Sequence, residues 1–350
     1  VSGHLETMSG PPGQKPDNAA SPGAAPAVIP GLVWAFRIHP DGTADELDVA
    51  HSLDEQHDGW LWLHFNLADT RSRIWLAEAP GLPDQARAAL LGSDRHQQLH
   101  TTDRCIYGVI ADMVRDLSQI TDQVGYLRFA MTERRMITAR SEALHATDNA
   151  RKKLRQGHRL RNVAALFEVV IDQVADAIDL ATDAIGTELD EIEDRIVSGR
   201  KFEDRNRLGK LRRNAVRLHR QLLGLRSLFH RLERDGANAM SEDMDWHVPR
   251  LVQRLDWLDH EVVATRDRAR LLQDEVVAKV AEESNRLLKT LTVIGTLLMP
   301  PTLITSFFGM NTKDMPFNDV ENGTLWAAML VVSGSLATYL WFRWLSKARD

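Results

Sequence analysis

Charge is spread evenly along most of this chain and then disappears twice near its C-terminal end. Leu291 to Phe308 is a run of 18 residues without one charged side chain, and Leu325 to Phe342 is a second uncharged run of 18. That is about the shortest apolar stretch that crosses a bilayer core as a helix. Backbone groups in hydrocarbon must bond internally, so both runs are expected to be helical rather than extended. Only 16 residues, Gly309 to Thr324, separate them, and the pair therefore predicts a membrane hairpin. Buried core helices are the alternative. Against it, each run is apolar on all faces, and Trp326, Trp341 and Trp344 stand at the ends of the second, where interfacial aromatics belong.

Basic residues orient the hairpin. Lys279, Arg286 and Lys289 precede the first span and Arg343, Lys347 and Arg349 follow the second, whereas the connector holds only Lys313. The positive-inside rule then places both termini in the cytoplasm and the connector outside. Asp314, Asp319 and Glu321 make that connector net acidic, which suits a loop that gathers cations as well as a merely solvated one.

Upstream, apolar positions recur every three or four residues. Val163, Phe167, Val170, Val174, Ala177, Ala181, Ile185, Leu189, Ile192 and Ile196 form one stripe of a long helix from Asn162 to Val197, which carries ten acidic residues against Arg195 alone. Leu208, Leu211, Ala215, Leu218, Leu222, Leu225, Phe229 and Leu232 form a heptad seam on a helix with twelve Lys and Arg between Arg200 and Arg234. The two are expected to pair antiparallel across the turn from Ser198 to Asp204. Lys and Arg clusters also bind nucleic acid. An acidic neighbour of equal length is the simpler partner, so no nucleic acid is expected. A third helix starts near Val248, and no Gly or Pro interrupts it from Arg250 to Ile294. Continuous from Arg250 to Phe308, its 59 residues would reach roughly 90 Å. Pro300 and Pro301 are expected to kink it inside the bilayer.

The N-terminal third has shorter periods. Leu32 to Ile38, Trp60 to Phe65, Cys105 to Val114 and Tyr126 to Met131 read as strands, with Met136 to Ala139 as a hairpin partner across Glu133, Arg134 and Arg135. Pro40, Asp41 and Gly42 mark a turn. Asp69 to Ala79 and Pro83 to Leu91 read as helices, Asp69 capping the first and Pro83 starting the second. The fold class is α+β for this part. The whole chain divides into a disordered tail (1–30), a cytoplasmic α/β domain (31–147), paired long helices (148–247), a stalk helix (248–290), a pore-lining first span (291–308), a periplasmic loop (309–324), a second span (325–342) and a basic cytoplasmic tail (343–350). Met8 reads equally as an internal methionine or as a start preceded by a seven-residue leader.

Composition adds little and excludes more. Mean hydropathy is -0.29 and formal net charge is -6, so two short spans are hidden in a water-compatible average. Mild acidity gives nucleic-acid binding no support. Cys105 is the one cysteine, which excludes a disulfide framework and a thiolate zinc cluster within one chain. No phosphate loop, dinucleotide fingerprint or nucleophile elbow is present, so an enzyme is not expected. His260-Glu261 begins like a zinc-protease helix, but Ala264 stands where the second histidine is required. His96 and His100, four apart, could share a helical face but make half a metal site.

One hairpin cannot enclose a water-filled path, so transport requires several chains, and the heptad stalk offers the means of assembly. The first span would then line the pore, with Asn285, Leu288, Leu291, Gly295, Met299 and Thr302 facing inward at helical spacing. Such a lining suits a hard divalent cation carried with its waters. Ordinary helix packing is the alternative use of these small residues. From Asn285 to Asp350 there is no His or Cys, and no ionisable residue lies between Thr290 and Phe308. Direct zinc ligation and a proton relay in mid-span therefore have no carrier. No resident cofactor is expected, only a transported divalent cation.

At the end of the first span stands Gly309-Met310-Asn311, followed by a short acidic loop, a second span and a basic tail. This resembles the CorA family of divalent-cation transporters, whose signature is that tripeptide at the outer mouth of the pore helix. Asn285, Leu291, Met299 and Pro300 fall where the family has pore-helix residues of the same types, and Leu288 occupies a position that can be Met in magnesium members. The resemblance spans about Gly31 to Asp350. It implies a funnel-shaped homopentamer in a bacterial inner membrane, with an Asn311 ring receiving the hydrated cation and Gly309 and Met310 shaping the turn that presents it. Phe308 stands where magnesium members commonly have Tyr. The text around Gly59 to Leu91 and the Arg-rich second long helix look more like the bacterial zinc-transporter branch, ZntB. The expectation is a pentameric transporter of divalent cations with zinc favoured. A magnesium or cobalt channel gated by cytoplasmic cation binding is the alternative within the family, and a membrane-anchored coiled-coil scaffold is the alternative of another class. No regulatory metal site is matched to particular residues.

Overall fold

The structure, a computed structural model, describes residues 29–48, 58–102, 104–115, 120–198, 205–235, 247–310, 316 and 322–347. The expected disordered tail, nearly all of the Ser198-to-Asp204 turn and most of the acidic connector lie outside the described residues. The chain forms two compact units, Val1–Ala184 with Val216–Val263 and Ile185–Ala215 with Ala264–Asp350.

The first unit is built on strands β1 (Leu32–Ile38), β2 (Ala44–Leu47), β3 (Trp60–Asn66), β4 (Gln98–Thr102), β5 (Cys105–Arg115), β6 (Ile120–Thr132) and β7 (Arg135–Arg140). They make one sheet in the order β2-β1-β3-β7-β6-β5-β4. Every neighbouring pair is antiparallel except β3 and β7, which run parallel. A parallel pair needs a long crossover, and here that crossover carries helices α1 (Thr70–Ala77) and α2 (Asp84–Leu91) together with β4 to β6. The β1–β2 turn is the one expected: Gly42 takes φ +84, and the Asp41 carboxylate accepts the Thr43 N–H at 2.9 Å. Only a residue without Cβ takes that φ without strain.

Both faces of the sheet are covered, which is why Trp60 to Phe65 reads as an unbroken apolar run. On one face Ala35, Leu63, Phe65, Ile137 and Ala139 pack with Leu76 of α1 and Leu90 of α2. The other face buries Trp34, Phe36, Trp62 and Phe129. His64 is buried among them, stacked on Trp34 at 3.9 Å. Arg140 Nε donates to its Nε2 at 2.9 Å, so Nδ1 carries the proton and donates to Thr138 Oγ1 at 2.8 Å. Burial, then the charges of Arg140 and Arg151, hold the ring neutral, well below its ordinary pKa.

Three long helices follow α3 (His145–Arg155): α4 (Val163–Val197), α5 (Arg205–Asp235) and α6 (Val248–Phe308). Within the first unit Phe167 of α4 lies 4.5 Å from Phe129 of the sheet and 6.3 Å from Phe229 of α5. Arg254 of α6 pairs there with Asp172 and Asp176 of α4, and Arg226 of α5 with Asp256 and Asp259 of α6. Within the second unit Arg207 of α5 pairs with Glu188 of α4 at 2.9 Å, and Arg268 of α6 with Asp190 of α4 at 2.6 Å. The acidic helix is thus answered by α6 as well as by the basic helix, because three helices share one core. The stripes named above on α4 and α5 are buried throughout except at Ala181, which is half-buried.

Some elements differ from expectation. Asp69 caps α1 as predicted, its carboxylate accepting the Arg71 N–H, but Pro83 occupies the cap of α2 rather than its first turn. The β6–β7 loop is one residue shorter than expected, since Thr132 pairs with Arg135. His100 lies on β4 and His96 in the loop before it, so they share no helical face. Strands β2 and β4 have no clear apolar period, and α3 buries only a short stripe at Ala146, Ala150 and Leu154; none of the three is among the expected elements.

Candidate cation pathway

Among the described residues, the C-terminal part of α6 and helix α7 (Gly323–Lys347) are the two helices long and apolar enough to cross a membrane, and their apolar windows are unburied. Helix α6 runs without a break through Pro300 and Pro301. Proline has no N–H, so the carbonyls of Thr296 and Leu297 lose the partner that an unbroken ladder would supply.

The two helices touch along one side. Val293, Thr296, Leu297, Pro300, Ile304 and Phe308 are half-buried on α6, and Ala327, Val331, Gly334, Ser335, Thr338 and Phe342 are half-buried on α7. A Cβ built on Gly334 would lie 3.5 Å from Pro300 Cβ. At ~100° per residue, Leu288, Leu291, Gly295, Met299 and Thr302 fall on the opposite side of α6, and Asn285 lies at the edge of that side. All six are exposed, and a Cβ at Gly295 would meet nothing within 4 Å. Five of the six residues expected to line a pore therefore share one face, with Asn285 at its edge, and that face is free of α7.

Threonine hydroxyls from Thr290 to Thr305 on this helix point their protons back into it. Thr292 donates to the Leu288 carbonyl, Thr296 to that of Thr292, and Thr302 to that of Leu298, each at 2.8 Å. A hydroxyl whose proton is used in this way presents only lone pairs outward. That is the polarity that waters around a cation accept, since their own protons point away from the metal.

At its C-terminal end α6 tightens before stopping. Gly309 N–H donates to the Thr305 carbonyl at 2.9 Å and Met310 N–H to that of Phe307 at 3.3 Å. Asn311, Asp314, Asp319 and Glu321 lie outside the described residues. Chain order alone puts Asn311 directly after this last turn. Asn322, at φ 67, starts α7 by accepting the Leu325 N–H at 2.9 Å, a backbone conformation that asparagine tolerates.

Sequence reasoning did not find one cluster. Asp179 and Asp183 of α4 and Glu261 of α6, all in the first unit, bring one carboxylate oxygen each within 4.8 Å of the others. Burial first, then the neighbouring carboxylates, push Asp179 and Glu261 up from the ordinary range. Oxygen-only donors suit a hard cation, but nothing else in the structure marks the cluster as a site. The i,i+4 acids were visible in the sequence; their meeting with Glu261 depends on how the helices pack.

The sequence profile described as "CorA-like Mg2+ transporter protein" matches residues 57–346. The chain belongs to the CorA family of divalent-cation transporters. Its similarity extends to a relative named zinc transport protein ZntB from Enterobacter sp. (strain 638), 24% identical over 321 residues, covering 89% of this chain and 95% of the relative. Among solved structures, the full-length CmaX protein has a TM-score of 0.74 at 23% identity, covering 93% of this chain and 100% of its own. The CorA magnesium transporter from Methanocaldococcus jannaschii has a TM-score of 0.73 at 17% identity, with 89% and 98% covered. The α+β sheet, the long helices and the C-terminal pair of spans are therefore the CorA-like fold.

Proposed function

We propose that this member of the CorA family assembles as a homopentamer in a bacterial inner membrane, with both termini cytoplasmic, and passes divalent cations through a pore lined by α6. The supporting observation is the exposed α6 face opposite α7, whose hydroxyls offer only acceptor oxygens. A cation that keeps its water shell needs acceptors for the outward protons of those waters rather than charged ligands. An Asn311 ring beyond Gly309 and Met310 would receive the hydrated ion at the outer mouth, and Asp314, Asp319 and Glu321 would raise its local concentration. Zinc is the favoured cargo, on the names of the relatives matched over nearly the whole chain. Magnesium is the second reading, favoured by the lack of any His or Cys on the pore face.

Flux into liposomes carrying the purified protein tests this reading, with Zn²⁺ and Mg²⁺ supplied separately, with and without a pH gradient. The expected outcome is zinc uptake that Asn311→Ala abolishes or strongly alters while assembly is kept. Unchanged flux in that variant would remove the pore assignment. Magnesium uptake indifferent to pH and shut by internal magnesium would keep the pathway and reassign the cargo. A scaffold would give no flux for either ion.

A further inference from the structure

A pocket of about 200 Å³ opens in the first unit between α1, the loop after α2 and strand β6. Three arginines line it, Arg73, Arg95 and Arg128, together with Ser93, Tyr126 and Ser141, and Glu142 is the one acidic side chain in its wall. Arg128 is only 6% exposed. Its Nη2 donates to the Asp94 carbonyl at 3.0 Å, and its Nε has no partner. The Asp94 carboxylate does not answer it, being bound to the His96 ring at 2.7 Å and to the His96 N–H at 2.9 Å. Arg73 donates to the Leu91 carbonyl at 2.9 Å. Burial first, then repulsion from Arg73 and Arg95, disfavours the charged form of Arg128, and the charges of Asp94 and Glu142 only partly offset this.

A guanidinium does not escape burial by losing its proton in the physiological range. Buried charge is retained where it is paired and hydrogen-bonded, and here two further cations stand beside the buried one with no carboxylate bound to any of the three. The pocket wall is thus short of negative charge. Its donors are planar guanidinium forks plus neutral hydroxyls, a set that matches a tetrahedral oxyanion with several acceptor oxygens better than a spherical halide. The volume is below the usual 300 to 1,000 Å³ of sites for drug-sized ligands, so roughly a phosphate with a short organic stem fits.

We propose that this pocket binds a phosphate group, either free or as a small phosphomonoester, at Arg73, Arg95 and Arg128. The site belongs to the sheet domain and does not depend on the identity of the transported ion.

The test is calorimetric titration of the full-length protein in detergent with inorganic phosphate, with glycerol phosphate and with chloride at matched ionic strength. Saturable binding of a phosphate, at least tenfold weaker in Arg73→Ala and in Arg95→Ala and lost in Arg128→Met, is the expected result. The tighter of the two phosphates identifies the source, and either supports the proposal. Should Arg128→Met fail to fold, the two variants at exposed arginines still decide. Absence of saturable phosphate binding overturns the proposal, as does equal binding of chloride or unchanged affinity in both exposed-arginine variants. Variants that loosen the oligomer in a wild type blind to phosphate would mean that a carboxylate of another copy fills the pocket, and this too overturns it.

Discussion

Gly334 of α7 lies directly against Pro300 of α6, where an added Cβ would come to 3.5 Å from Pro300 Cβ and 3.7 Å from Ile304 Cδ1. Those are ordinary contact distances, so Gly334→Ala is expected to be tolerated and to favour the helix by up to ~1 kcal/mol. A larger side chain has no such room. Gly334→Leu should push the spans apart at a cost of about 1–3 kcal/mol, read as a lower melting temperature and reduced flux in liposomes. Wild-type behaviour in the leucine variant would show that the two helices do not pack along this line.

The same packing sorts the threonines. Thr302 stands on the face away from α7 and Thr296 on the face toward it, yet both hydroxyls make the same 2.8 Å bond to the preceding turn. Replacing either by Val keeps the shape and removes one oxygen. If that oxygen meets the hydration shell of a passing ion, Thr302→Val raises the barrier by about 1 kcal/mol, close to fivefold in flux. Thr296→Val should leave flux within about twofold, since its oxygen meets no hydrated ion. Equal loss in both variants, measured under one ion gradient, would mean that the pathway does not follow this face.

Much of this was legible from period alone. The stripes at Val163 to Ile196 and Leu208 to Leu232 place α4 and α5 because an amphipathic helix repeats its burial every three or four residues. Strand β1 has the bounds expected from its apolar run and from the turn at Asp41 and Gly42. Other parts depend on partners that no local pattern announces. Strand β4, Gln98–Thr102, holds no fully buried residue, so it owes its conformation to pairing with β5. The pore face could be written down from helical spacing, but its exposure depends on which side of α6 meets α7. Nothing in the Tyr126-to-Met131 run marks Arg128 as buried, and only the sheet and the α2–β4 loop reveal it.

The carboxylates of Asp179, Asp183 and Glu261 repel one another. Folding brings them together, so removing one charge should stabilise the domain, with Glu261→Gln gaining about 0.5 kcal/mol at neutral pH. Thermal unfolding in a chelating buffer measures this. A destabilised variant under those conditions would show that Glu261 contributes a favourable contact instead.

Asp112 sets a pH dependence with a definite sign. Its side chain is fully buried and accepts the N–H of Met113 at 2.7 Å and of Ala146, in the first turn of α3, at 2.8 Å. Burial dominates these two bonds and the charge of Asp148 adds to it, so the carboxyl is pushed up to about 7 from 3.8. Below about pH 4 the group is protonated in folded and unfolded chains alike, and it costs nothing. Between about pH 4 and 7 the unfolded chain releases the proton that the folded one keeps, so stability falls as pH rises, by an amount of the order of 4 kcal/mol. Asp112→Asn carries no such charge. It offers one acceptor oxygen to the two N–H groups and should be about 1 kcal/mol less stable at low pH, yet more stable than wild type at pH 8. His64, held neutral, acts with the opposite sign, losing stability as pH falls below its ordinary value. It is common to both proteins and cancels in their difference. Denaturation of the pair at pH 4 and pH 8 should therefore give curves that cross; parallel curves would mean that Asp112 is ionised in the folded protein.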